Sequence, residues 1–168
     1  MTHKNYAYTT LTGRTIDLGN LNDEERHCLT VVVKKYQEGT EWTQFASWWM
    51  GELSKRHIRQ DSPLFKVCDD LEARLGVSQG KTSPPDYRDY LLALIEERFG
   101  SRYKFCKDTG VDQGQLSRIL AGKADFSMEL LQKILQALHA GLVVQTEDKL
   151  RDVASPEEAS RLLETAGA

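Results

Sequence analysis

Residues Thr109–Lys123 read TGVDQGQLSRILAGK, and the organisation of the chain follows from this stretch. Just upstream, Arg102 to Asp108 predicts a short helix that buries Phe105 and Cys106. Thr109-Gly110 ends it, because glycine takes up the left-handed backbone of a helix end without a steric cost. Asp112 then suits an N-cap, since its carboxylate accepts a backbone N–H and lies at the positive end of the helix dipole. Gln113 to Leu120 predicts a second helix with Leu116, Ile119 and Leu120 inward. Two short helices joined by so tight a turn cross steeply, one bracing while the other presents its N-terminal residues, which is the helix-turn-helix arrangement.

The flanking segments extend this unit. Asp86 or Tyr87 starts a helix that buries Leu91, Leu92, Ile95 and Phe99 before Gly100. After Gly122, Ser127 caps another helix with Leu130, Leu131, Ile134, Leu135 and Leu138 apolar, and Gly141 is expected to stop it. Leu142-Val143-Val144-Gln145-Thr146 has β-branched content and no helical stripe, which predicts a short strand.

The series Phe105-Cys106, Gly110-Val111-Asp112, Leu116-Ser117-Arg118-Ile119-Leu120, Gly122-Lys123, then Ser127 ahead of Leu130-Leu131, resembles the Cro/repressor-type (XRE) helix-turn-helix family over residues 86–140. The residues before it carry no family resemblance. The resemblance implies a five-helix-type repressor-like domain that binds double-stranded DNA, with a recognition helix over 113–121 in the major groove. By the same resemblance the base-facing positions are Gln113, Gly114, Gln115 and Arg118, and the phosphate-holding ones Arg102, Ser117 and Lys123. The side chains suit these positions. Gln113 and Gln115 can engage adenine through amide O and N, and Arg118 can engage guanine or phosphate. Gly114 departs from the family pattern. It supplies no side chain where one is often used and weakens a helix by about 1 kcal/mol relative to alanine, so either the backbone approaches DNA closely or readout there is degenerate.

Charge agrees once it is divided along the chain. The net charge is −3, but Arg98, Arg102, Lys104, Lys107, Arg118 and Lys123 face only Asp108 and Asp112 between residues 98 and 123. DNA association depends on such local phosphate neutralisation rather than on whole-chain charge.

In the first half, residues 6–18, YAYTTLTGRTIDL, read as extended structure or a small hairpin around Thr12-Gly13. Asn22 and Glu25 form a capping box for a helix to about Tyr36 with Cys28, Leu29, Val32 and Val33 inside. Trp42, Phe45, Ala46, Trp49 and Leu53 share one face of a second helix. Trp48 and Trp49, about 100° apart on that helix, cannot both point inward. Ser62-Pro63 opens a third helix, striped by Leu64, Val67, Cys68, Leu71 and Leu75 and expected to end at Gly76. Ser155-Pro156-Glu157-Glu158 opens a short terminal helix that offers Leu162, Leu163 and Ala166. The fold expected is mainly α: a small helical domain over 1–80 with a short hairpin at its start, a linker at 81–86, the helix-turn-helix domain over 87–147, and a charged tail with a short helix over 148–168.

Composition bounds the remaining classes. With 168 residues, 40% hydrophobic and 28% charged, the chain can build real cores in one medium or two small domains. Its apolar runs are short for a membrane span, and Met-Thr-His-Lys-Asn is not a secretory start, so a cytoplasmic location is expected. Cys28, Cys68 and Cys106 lack the close pairing of zinc sites, which predicts reduced buried thiols and no metal. His3, His27, His57 and His139 are scattered, and no phosphate-binding glycine loop occurs, so neither enzyme chemistry nor a cofactor is expected. The reading is a sequence-specific transcriptional regulator acting as a homodimer with contact near Leu138–Val144, the Leu162-Leu163 helix being a further candidate; the alternatives are that the Leu142–Val144 strand pairs with residues 6–18 of the same chain and that the contact lies in the first domain. Its alternative is an antitoxin whose first domain binds a protein partner while the helix-turn-helix autoregulates the operon; a small ligand could occupy that domain instead.

Overall fold

The structure, a computed structural model, describes residues 6–144, 146, 148, 149 and 155–165. Most of these are helical. Two compact units divide the chain, one gathering the residues up to Leu11, Thr15–Pro84 and the segment from Thr146 on, the other Pro85–Gln145 with Thr12–Arg14. The passage from the first unit to the second falls between Pro84 and Pro85, inside the Ser/Pro segment.

In the first unit, β1 (Ala7–Thr9) and β2 (Thr15–Asp17) form an antiparallel hairpin with Tyr8 opposite Ile16. Three helices follow: α1 (Asp23–Gln37), α2 (Trp42–Lys55) and α3 (Pro63–Ser78). Each starts where its sequence offers a cap. Asn22 and Glu25 complete the capping box of α1, Glu41 accepts from the Thr43 and Gln44 N–H groups, and Ser62 precedes Pro63 at the first position of α3. Cys28, Val32, Phe45, Leu53, Leu64 and Leu71 meet in one apolar core. Trp49 lies inside with its Nε1 donating to Glu72 at 2.7 Å, while Trp48 is half-buried against Phe45.

A buried polar network ties the hairpin to α3. Asp70 accepts from the Tyr8 hydroxyl at 2.5 Å, the Leu11 N–H at 2.6 Å and Arg74 Nε at 2.7 Å, and Arg74 also donates to the Thr9 carbonyl at 3.1 Å. Arg74 is fully buried, so its charge is held by these partners rather than by water.

Four expectations are corrected by the packing. Helix α3 does not stop at Gly76 but runs through it to Ser78. A Cβ on Gly76 would stand 2.7 Å from Thr82 Oγ1 and 3.2 Å from Trp42 Nε1, so this glycine serves close approach rather than termination. The helix after Ser127, α7 (Met128–Ala137), ends before Gly141, with His139 taking the left-handed backbone at φ 47°. Leu142, Val143 and Val144 form no strand and are 58%, 76% and 89% exposed. Strand propensity without a neighbouring edge leaves the backbone unpaired, and no described strand lies against this run; Gln145, named with it, lies outside the described residues. Finally, α8 (Pro156–Thr165) packs against α1, α3 and β1 and places Ala159 and Leu163 in the core of the first unit. Leu163 is 1% exposed and is therefore occupied within its own chain, not offered to a second copy. Ala166 lies outside the described residues.

The second unit holds α4 (Tyr87–Phe99), α5 (Arg102–Thr109), α6 (Gln113–Leu120) and α7. Its own core joins Leu91, Ile95, Phe105, Val111, Leu116 and Ile134, with Phe99 edge-on to Phe105 at a 5.0 Å ring separation. No helix among the described residues is long and apolar enough to cross a membrane.

Candidate nucleic-acid interface

The turn between α5 and α6 is built from local hydrogen bonds. The Gly110 N–H donates to the Cys106 carbonyl at 2.9 Å, with Gly110 at φ 70°, a conformation that a side chain would strain. Thr109 adds two bonds, its hydroxyl donating to the Phe105 carbonyl at 2.7 Å and accepting from the Val111 N–H at 3.4 Å. Val111 then turns inward and is buried, which fixes the path of the chain into α6. Asp112 caps that helix, its Oδ1 accepting from the Gln115 N–H at 2.6 Å.

Helix α6 is anchored from one side only. Leu116 and Ile119 are buried and Leu120 is half-buried, whereas Gln113, Gly114, Gln115, Ser117 and Arg118 are exposed. The helix ends in a Schellman arrangement: Gly122 N–H donates to the Ile119 carbonyl at 2.9 Å and Lys123 N–H to the Arg118 carbonyl at 2.8 Å. Lys123 therefore leaves the helix at a defined point.

The unit brings together the residues that the sequence singles out. Gln113, Gly114, Gln115, Ser117 and Arg118 share one short helix, Lys123 follows its end, and Arg102 opens the neighbouring α5. The side chains of Arg98, Arg102, Lys104, Lys107, Arg118 and Lys123 are all exposed, and among the described residues none has a hydrogen-bond or ion-pair partner. Arg88 differs. It is bound to Asp86 at 2.8 Å and to Asp125 at 3.3 Å, so it braces the unit instead of facing solvent as a free cation. Cys106 is buried in the unit, and desolvation raises its thiol pKa, so it serves as a packing residue.

Two features here escape a reading of the sequence. The two hydrogen bonds of Thr109 belong to a residue that sequence marks only as part of a helix stop, although a Thr-Gly pair at a helix end is a recognisable signal for such bonding. Asp112 is legible as a cap and nothing more, yet its second carboxylate oxygen has no hydrogen-bond partner among the described residues.

Two short helices on a tight Thr-Gly-Val turn, the second with its buried face anchored and its leading residues open, define a helix-turn-helix domain. A family model for the Cro/C1-type HTH DNA-binding domain matches residues 91–141, which supports the XRE-type resemblance and a DNA-binding regulator in general. No curated protein and no solved structure is significantly similar to the chain.

Proposed function

We propose that this chain is a sequence-specific transcriptional regulator that inserts α6 into the major groove of double-stranded DNA. The observation that carries the reading is the open edge of α6, where the side chains of Gln113, Gln115 and Arg118 are exposed and have no hydrogen-bond partner among the described residues, in a segment matched by a Cro/C1-type domain. Amide side chains there can pair with adenine N6 and N7, and the guanidinium of Arg118 can pair with guanine O6 and N7. Arg102, Ser117 and Lys123 would hold phosphates on either side and set the register of the helix without reading bases.

A two-fold pair of such domains would double the contacts and read half-sites about one helical turn apart. The exposed run Leu142-Val143-Val144 supports a homodimer, since pairing it with its copy would remove apolar surface from water.

The test is selection of bound DNA from a random pool at stated salt with the full chain. A recovered palindrome supports both readout and symmetry, and a pool that never enriches overturns the reading. On the selected site, Arg118→Ala should cost about 1–3 kcal/mol and relax one position. Lys123→Ala should instead leave preference intact and shallow the log K against log salt slope by about one unit.

A further inference from the structure

We infer that Arg88 is a further phosphate-binding residue, and that the exposed carboxylate of Asp125 occupies its guanidinium in the free protein where a DNA phosphate sits in the complex. The inference rests on the reading of this unit as DNA-binding. It adds a contact that Arg102, Ser117 and Lys123 do not supply.

The guanidinium is oriented from one side. Asp86 accepts from the Arg88 backbone N–H at 2.7 Å through Oδ1 and from Nη1 at 2.8 Å through Oδ2, and the head lies over the Tyr87 ring, 4.7 Å from its centre. The other edge, Nη2, donates to Asp125 Oδ1 at 3.3 Å. This second arm is weak. The Asp125 side chain is 91% exposed and has no other hydrogen-bond or ion-pair partner among the described residues, and an exposed pair at that distance contributes little. A purely bracing arginine looks different in this chain: Arg74 is fully buried and meets Asp70, also buried, at 2.7 Å. Arg88 also keeps a donor in reserve, since its Nε is buried with no partner, whereas a group that served only to brace would have each buried donor met.

The position of the pair says what replaces Asp125. Asp125 lies in the loop that leaves α6, two residues after the exposed Lys123. A loop that lays Lys123 on the sugar–phosphate backbone brings Asp125 to the same backbone, where its carboxylate is repelled. The next residue, Phe126, packs on Tyr87 at a 5.9 Å ring separation, so the loop stays against α4 when the ion pair opens. Asp125 can then turn to water at little cost, and a phosphate oxygen takes its place on a planar donor group that is already aimed and fits phosphate well. One anion leaves as another arrives. The exchange therefore releases little net counterion, and Asp125 holds down affinity for duplex DNA of any sequence.

Salt titrations of the full chain on a random-sequence duplex, with pool selection alongside, test the exchange. Asp125→Asn removes an exposed side chain that belongs to no core, so it should melt as wild type does. It should bind about two- to fivefold more tightly and steepen the log K against log salt slope by about one unit, while the selected motif is unchanged because a phosphate carries no sequence. Combined with Arg88→Gln, the same substitution frees no guanidinium and should add no such steepening to that of Arg88→Gln alone. Asp108→Asn is the control for charge by itself, since Asp108 is exposed and has no ion-pair partner among the described residues; it should steepen the slope by less. A wild-type slope or an altered motif for Asp125→Asn, or steepening equal to that of Asp108→Asn or equal with and without Arg88, overturns the proposal and leaves α6 as the reading helix. A wild-type chain with no salt-dependent binding to duplex DNA overturns that reading as well.

Discussion

Asp70 is the residue whose loss the first unit should feel most. It accepts three hydrogen bonds, from Tyr8, Leu11 and Arg74, and Arg74 is fully buried. Removing one partner of a buried pair leaves the other charge without compensation, which costs about 3–5 kcal/mol. Asp70→Ala should therefore destabilise the first unit by about that amount in denaturant unfolding. Tyr8→Phe keeps the ring in place and removes one of the three donors, so it should cost only about 1 kcal/mol. Equal costs for the two would mean that the network is incidental. The i,i+4 spacing of Asp70 and Arg74 is visible in the sequence, but such a pair is usually a solvated face. Its burial arises from Tyr8 and Leu11, some sixty positions away in the chain, a pairing that no local pattern encodes.

Helix α8 makes the same point at the scale of an element. Its start is legible, since Ser155 accepts from the Glu158 N–H at 3.2 Å, as expected of a cap followed by proline. Its destination is not, because a short amphipathic helix at the end of a chain suits a partner's core as well as its own. In the structure Leu163 is 1% exposed among the residues of α1, α3 and β1. Truncating such a leucine to alanine costs about 2–5 kcal/mol, so Leu163→Ala should lower the melting transition of the first unit and leave that of the second in place. A single transition shifted as a whole would show the two units to unfold as one. The helix-turn-helix is far more legible, since Gly110 and Asp112 act through neighbours within a turn and the inward side of Leu116 and Ile119 is set by helical spacing. By contrast, the strand expected at Leu142–Val144 needs a partner edge, and pairing is a property of two segments, not one. The end of α3 falls elsewhere than Gly76 suggests, because a glycine that looks like a stop can instead serve close packing, whereas α7 ends ahead of Gly141, where His139 takes the left-handed backbone.

Across the whole molecule, burial of ionisable groups sets an alkaline limit. Desolvation lifts the Cys28 thiol from 9.0 to about 11, and burial likewise drives the Tyr8 and Tyr36 hydroxyls upward. Each group binds its proton more tightly folded than unfolded. The stability it contributes is complete below the unfolded value and is lost as pH rises through the folded one. For Cys28 the window runs from about 9 to about 11, so urea midpoints of the first unit should decline through that range, and Cys28→Ala should flatten the decline. A decline as steep in the variant would assign it to the other buried groups of the unit, the Cys68 thiol, which burial also raises, and the tyrosines.

Assembly is the remaining property of the whole chain, and the packing of α8 narrows where it can occur. With Leu163 inside its own core, the run Leu142-Val143-Val144, at 58%, 76% and 89% exposure, is an apolar surface left open near the C-terminal side of the second unit among the described residues. Three consecutive exposed aliphatic residues are costly to leave in water, at roughly 25 cal/mol for each Å² that pairing would cover. A two-fold contact is self-complementary, so the same run from both copies would cover this surface across the axis. Sedimentation of the full chain should then report a dimer. Substituting the run in place tests it without disturbing α8: Val143→Lys with Val144→Lys should yield monomers that keep both melting transitions, since neither side chain takes part in a core. Those monomers should bind an isolated half-site as wild type does and lose the advantage of the palindrome. A full-length protein that is monomeric at tens of micromolar, or a doubly substituted one that still dimerises, would remove this run from the interface.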